Sequence, residues 1–175
     1  MSGSDEWEEA FLRWIESNEP YLDPRISFAG HEDRALNWYR QVFADNGVIP
    51  GHLLTELALA HKRRVLSPAL EIVQMDVRQA IGHELNMTLE ERSVGVPGSA
   101  DDIFLLGNRL ISMDEAGAVI EIAKIAQSEM MDMLMRVWPS CEEHNAATYA
   151  ELKSSIPVWW CRRGGHVLRR IGGRS

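Results

Sequence analysis

Only two cysteines, Cys141 and Cys161, occur in the 175 residues of this chain. That is too few for the disulfide framework of a small secreted scaffold. No apolar stretch approaches the roughly 18 residues that a membrane-spanning helix needs. The opening residues, Met1 to Trp7, hold neither a basic region nor an apolar run, so they do not read as a signal peptide. The expectation is a cytoplasmic protein, with no membrane association and with reduced thiols. A glycine-rich phosphate loop, a nucleophile elbow and a Cys-x-x-Cys pair are all missing, which points away from an enzyme. Positive charge is scarce: 18 Lys and Arg stand against 26 Asp and Glu, for a net charge of −8. Such a balance argues against a molecule whose whole surface coats nucleic acid or anionic lipid. Strand-like alternation is confined to residues 156–161 and 166–171.

What is present is helical periodicity. The hydrophobic fraction of 45% and the length suit one domain, or one with a small appendix. Ser4 reads as an N-cap ahead of an acidic first turn, and Trp7, Phe11, Trp14 and Ile15 fall on one helical face. A second helix is expected over 31–45, with Ala35, Trp38, Tyr39, Val42 and Phe43 inward and Asn46-Gly47 as its stop. A third runs from Pro50 to about Leu66. Ser67-Pro68 signals the start of a fourth, with Leu70, Val73, Val77, Ala80 and Ile81 as its stripe. Residues 93–99 read as a linker, and Ser99 as the start of a short helix containing Ile103, Leu105 and Leu106. The capping box Ser112-Met-Asp-Glu115 opens the longest amphipathic segment, to about Val137, with Met130, Met133 and Leu134 inward. The expected fold is therefore mainly α. A helical domain of five or six helices spans 1–138, and a small β appendix spans 139–175.

The appendix carries the chemistry. Both cysteines lie there, each with a histidine a few residues on: Cys141-Glu-Glu-His144 and Cys161-Arg-Arg-Gly-Gly-His166. Cys2His2 is a standard tetrahedral zinc set, and short Cys/His turns are how a small module gathers such ligands. Gly164 and Gly165 permit a tight reversal between the second pair. With Cys141, His144, Cys161 and His166 all coordinating, Zn2+ would be structural and would replace a missing core. The duller alternative is two unrelated buried cysteines beside surface histidines. A Cys141–Cys161 disulfide is a third, disfavoured by the reducing setting.

Residues 120–173 also resemble a C-terminal module found in many uncharacterised actinobacterial proteins. The likeness rests on Trp138-Pro139-Ser-Cys141-Glu-Glu-His144, on Val158-Trp159-Trp160-Cys161, on Gly165, and on Val167 to Ile171-Gly172. Gln127 and Glu129 in the preceding helix are similar too. Glu142 and Arg162 depart from it, standing where prolines are usual, and Asn145 to Tyr149 replace a histidine-rich stretch. The resemblance implies a zinc-ribbon-like metal-binding appendix and nothing more, since the family brings no established activity with it.

Charge is distributed unevenly. The first twenty-odd residues are acidic, whereas the tail holds Lys153, Arg162, Arg163, Arg169, Arg170 and Arg174. Cations beside Trp159 and Trp160 suit backbone contact with base stacking, so nucleic-acid binding through the tail is one functional expectation. The first expectation is a non-enzymatic protein-interaction module, acting on an unknown protein partner or by self-association. The acidic N-terminal helix and the methionines Met130, Met131, Met133 and Met135 motivate it. His83-Glu84 lacks the second histidine of a zinc-protease helix and reads as a helix end. His31-Glu32-Asp33, Asp101 and Asp102 read as first-turn groups. The basic run His61-Lys62-Arg63-Arg64 reads as a helix C-terminus.

Overall fold

A computed structural model describes residues 3–22, 34–82, 85–93 and 101–173, without the side chains of Gly3, Ser4 and Arg34. The architecture is mixed: four α-helices and small antiparallel sheets occur among the described residues. The expectation of five or six helices is corrected accordingly. Of the expected linker 93–99, Ser93 ends a strand, and residues 94–99, with His31-Glu32-Asp33 and His83-Glu84, lie outside the described residues.

The first layer is aromatic. Helix α1 (Gly3–Ser17) and helix α2 (Arg34–Asn46) bury Phe11, Trp14 and Ile15 against Leu36, Tyr39, Val42 and Phe43. Trp14 is anchored further, its Nε1 donating to the Ile49 carbonyl at 3.0 Å. Gly47 stops α2 as expected: at φ +67° its amide donates to Phe43 O, a geometry glycine adopts without a Cβ penalty.

Helix α3 (Gly51–Ile81) runs unbroken for 31 residues, about 46 Å at the α-helical rise. The break expected at Ser67-Pro68 does not occur. Pro68 is inside the helix and exposed, while Val65, Leu66, Ala69 and Leu70 on either side are buried in one core. Burial on both flanks carries the helix through a residue that lacks an amide donor. His61 to Arg64 therefore sit in mid-helix. The N-terminal part of α3 closes the aromatic layer through Leu54, and the rest builds the second core.

That second core is completed by a three-stranded sheet, by helix α4 and by the tail. Strands β1 (Leu89–Ser93), β2 (Asp101–Leu105) and β3 (Asn108–Arg109) form an antiparallel meander. The helix expected around Ile103 is instead β2, in which Ile103 and Leu105 alternate inward. Leu106 (φ +48°) and Gly107 (φ +78°) make the two-residue turn, and an apolar residue at its first position disguised the hairpin signal. Lys62, 5% exposed, ties α3 to this sheet by donating to Asp102 Oδ1 at 2.7 Å and to Leu110 O at 2.8 Å. Arg109 holds the other Asp102 oxygen at 2.6 Å. Asp102 is thus a buried structural acid on a strand, where a helix first turn had been expected.

Helix α4 (Glu115–Leu134) starts one residue after its N-cap, Asp114, whose Oδ1 accepts from Gly117 N at 2.9 Å. The cap is Asp114 where Ser112 had been expected; the Ser112 amide is taken instead by Glu121 Oε2 at 3.0 Å. Met135, at φ +49°, ends the helix two residues before the expected Val137. Beyond it lie β4 (Ser140–Cys141), β5 (Ala146–Ala147), β6 (Tyr149–Lys153), β7 (Ile156–Cys161) and β8 (His166–Arg170). β4 pairs with β5, and β6, β7 and β8 pair in order, all antiparallel. Trp138, Ala150, Trp159 and Ile171 enter the same core as α3 and α4. The tail is too short to enclose a core of its own and borrows one. No helix of the described residues is long and apolar enough to cross a membrane.

Candidate metal centre

Two hairpin turns build the site. The first joins β4 to β5 through Glu142 to Asn145, with Cys141 paired to Ala146 in register. The second joins β7 to β8 through Arg162 to Gly165, with Cys161 paired to His166. Both are four-residue turns closed by a positive-φ residue, Asn145 at +45° and Gly165 at +64°. Each cysteine therefore ends a strand at the same point of its turn. The histidines differ: His144 lies within the first turn, whereas His166 starts the strand after the second.

Gly164 explains how the turns meet. Its position corresponds to that of His144 in the first turn, and a Cβ there would lie 2.3 Å from Cε1 of the His144 ring. Glycine leaves the space that ring occupies. The Gly164 amide also points at Cys161 Sγ at 3.4 Å, a donor that favours a thiolate.

The four side chains singled out in the sequence converge. Their ligand atoms all lie within 4.8 Å of one another. Cys141 Sγ is 3.4 Å from His144 Nδ1 and 3.5 Å from His166 Nε2. A tetrahedral zinc with ordinary Zn–S and Zn–N bonds has S···N edges of about 3.5 Å and an S···S edge of about 3.8 Å. The two Cys141 edges match that geometry, and the cluster is compatible with a metal ion. Both cysteines are buried, at 1% and 0% exposure, and carry no disulfide. The two histidines are half-buried and cover the solvent side.

The scaffold fixes both turns to the helical layer. Gln127 of α4 donates to Trp138 O at 3.0 Å and to Thr148 O at 2.7 Å, bracketing the first turn. Thr148 is fully buried and its hydroxyl donates to Pro139 O at 3.0 Å, next to the cis Trp138–Pro139 peptide. Asp76 of α3 anchors the second turn's sheet. This carboxylate is fully buried and accepts from Trp159 Nε1 at 2.8 Å, from Gly172 N at 3.0 Å and from both terminal nitrogens of Arg169. Sequence reasoning missed Asp76, although the signal was there. It sits between Val73 and Val77 on an apolar stripe, where a lone carboxylate requires partners.

The six tail residues considered for partner binding separate into two groups. Trp159 and Arg169 are held inside by Asp76, and Trp159 packs edge-on against Trp138. The other four lie outward. Lys153 Nζ sits 4.0 Å above the Trp160 ring, and Arg162 sits 4.2 Å above Tyr149 while donating to Glu151 at 2.7 Å. Hydrogen bonds from Lys153 and Arg162 hold the Glu151 carboxyl below its usual range. Arg163 donates to His144 O at 3.1 Å, and Arg170 is exposed. No family model, curated protein or solved structure matches the chain.

Proposed function

We propose that the chain is a non-enzymatic interaction module whose C-terminal hairpins form a zinc-ribbon-like unit around one structural Zn2+. The convergence of Cys141, His144, Cys161 and His166 within 4.8 Å carries this reading. Two thiolates and two neutral imidazoles balance the charge of Zn2+ and fill a tetrahedron, leaving no position for substrate or an activated water. The ion would hold the two turns together, where the β-hairpins alone bury little. The resemblance of residues 120–173 to the actinobacterial module belongs to the same reading.

The exposed apolar residues at the end of α4 support a protein partner. Met133 and Val137 are 43% and 44% exposed, and Met135 is 88% exposed, where α4 ends and the chain leads to β4. The sequence placed both Met130 and Met133 inward; in the fold Met130 is fully buried, whereas Met133 is exposed. Flexible methionines suit an adaptable contact surface. Nucleic-acid binding through the tail is the second reading, resting on Trp160, Arg162, Arg163 and Arg170. The protein reading is favoured because the Tyr149 and Trp160 ring faces already carry cations, and those cations already share Glu151.

The test is capture of binding partners by the full chain and by a Met133→Glu/Met135→Glu variant. The expected result is a partner, or a second copy, retained by the wild type and lost by the variant. Equal capture by both would remove the α4 surface from the account. Salt-dependent binding to single-stranded probes would favour the second reading.

A further inference from the structure

The nitrogens of the two histidines are not equivalent in this site. His144 turns Nδ1 toward Cys141 Sγ, whereas His166 turns Nε2 toward the same sulfur. The opposite nitrogens face one carboxylate. Glu143 Oε1 is 4.0 Å from His144 Nε2, and Oε2 is 3.9 Å from His166 Nδ1. A neutral imidazole that gives one nitrogen to a metal carries its proton on the other, and that proton needs an acceptor.

We propose that Glu143 is the positioning carboxylate of the metal centre, one oxygen for each histidine, and that it holds the rings in opposite tautomers. His144 coordinates through Nδ1 with its proton on Nε2; His166 coordinates through Nε2 with its proton on Nδ1. The inference rests on the zinc reading above. The 3.9 and 4.0 Å separations exceed a hydrogen bond by about 1 Å. The Glu143 side chain is 73% exposed, which leaves it free to move in by a rotamer adjustment as the ion draws the rings together. Glu142, its neighbour in the same turn, carries the same charge and has no such relation to either ring, which makes it the control.

The experiment is a zinc competition titration against a chromogenic chelator, using the full chain and its Glu143→Gln and Glu142→Gln variants. It is paired with 15N NMR of the histidine ring nitrogens in the zinc-loaded proteins. Glu143→Gln is expected to weaken zinc binding about 10–100-fold, the usual effect of removing an outer carboxylate. Glu142→Gln is expected to shift it much less. The spectra should show one Nδ1-coordinated and one Nε2-coordinated ring, whose N–H protons exchange faster with water in Glu143→Gln. Equal affinities for the two variants, or both rings coordinating through the same nitrogen, would overturn the assignment while leaving the zinc reading intact. A wild type that takes up no zinc would overturn both.

Discussion

Single residues decide how the tail is attached. Asp76 gathers an indole N–H, a guanidinium and a backbone amide from residues 83 to 96 positions away in sequence, all at a point shielded from water. Removing one partner of such a buried charge pair costs about 3–5 kcal/mol, because the other charge stays behind unpaired. Asp76→Ala is expected to lower stability by about that amount in urea unfolding; a change under about 1 kcal/mol would show that the anchor is not needed. His61 acts at the same scale. Its Nε2 donates to Met113 O at 2.7 Å, its Nδ1 accepts from Arg64, and its ring lies against Trp38. Burial is the main cause that lowers its pKa below the ordinary 6.5; the Met113 bond opposes this and the Arg64 charge adds to it. A folded value below the unfolded one means the neutral form is favoured on folding. The stability His61 contributes is therefore full above about pH 6.5 and is lost as pH falls through the lowered value. The difference in urea midpoint between wild type and His61→Gln should shrink from pH 7.5 to pH 5; a difference constant with pH would contradict this.

At the scale of elements, α3 is the unexpected one. Its stripe was legible on both sides of Ser67-Pro68, but a local start signal cannot report that Val65, Leu66, Ala69 and Leu70 enter one core. Pro68→Ala restores an amide donor in an exposed mid-helix position and is expected to stabilise the protein by about 1–3 kcal/mol. A loss of stability would mean that the proline shapes the helix. The aromatic faces of α1 and α2 were legible because Phe11, Trp14, Tyr39 and Phe43 recur at helical spacing and helical spacing alone satisfies them. The β1–β3 meander was not, because Leu106 stands where a hairpin turn usually has glycine or asparagine and because β3 is two residues long. The four metal-ligand candidates were legible from residue type and spacing alone. Their support was legible only in part: a lone carboxylate on the stripe of α3 signals that Asp76 needs partners, but not that these lie 83 to 96 positions away, and no local pattern encodes the reach of Gln127 to Trp138 and Thr148.

For the molecule as a whole, the Cys/His cluster and the core are coupled. Cys161 ends the strand that sends Trp159 into the core, and Gln127 holds the first turn from the helix that lines the same core. An ion bound by the folded state alone stabilises that state by its binding free energy. Chelation should therefore lower the thermal midpoint of the whole chain, and more so than it loosens the tail alone. The measurement that tests the central claim most directly is native mass spectrometry of the protein loaded with zinc, beside Cys141→Ser and His166→Ala. The account predicts one zinc ion per wild-type chain and none retained in either variant. A folded wild type that carries no zinc, or variants that keep it, would contradict the assignment of Cys141, His144, Cys161 and His166 as the ligands of a structural zinc ion.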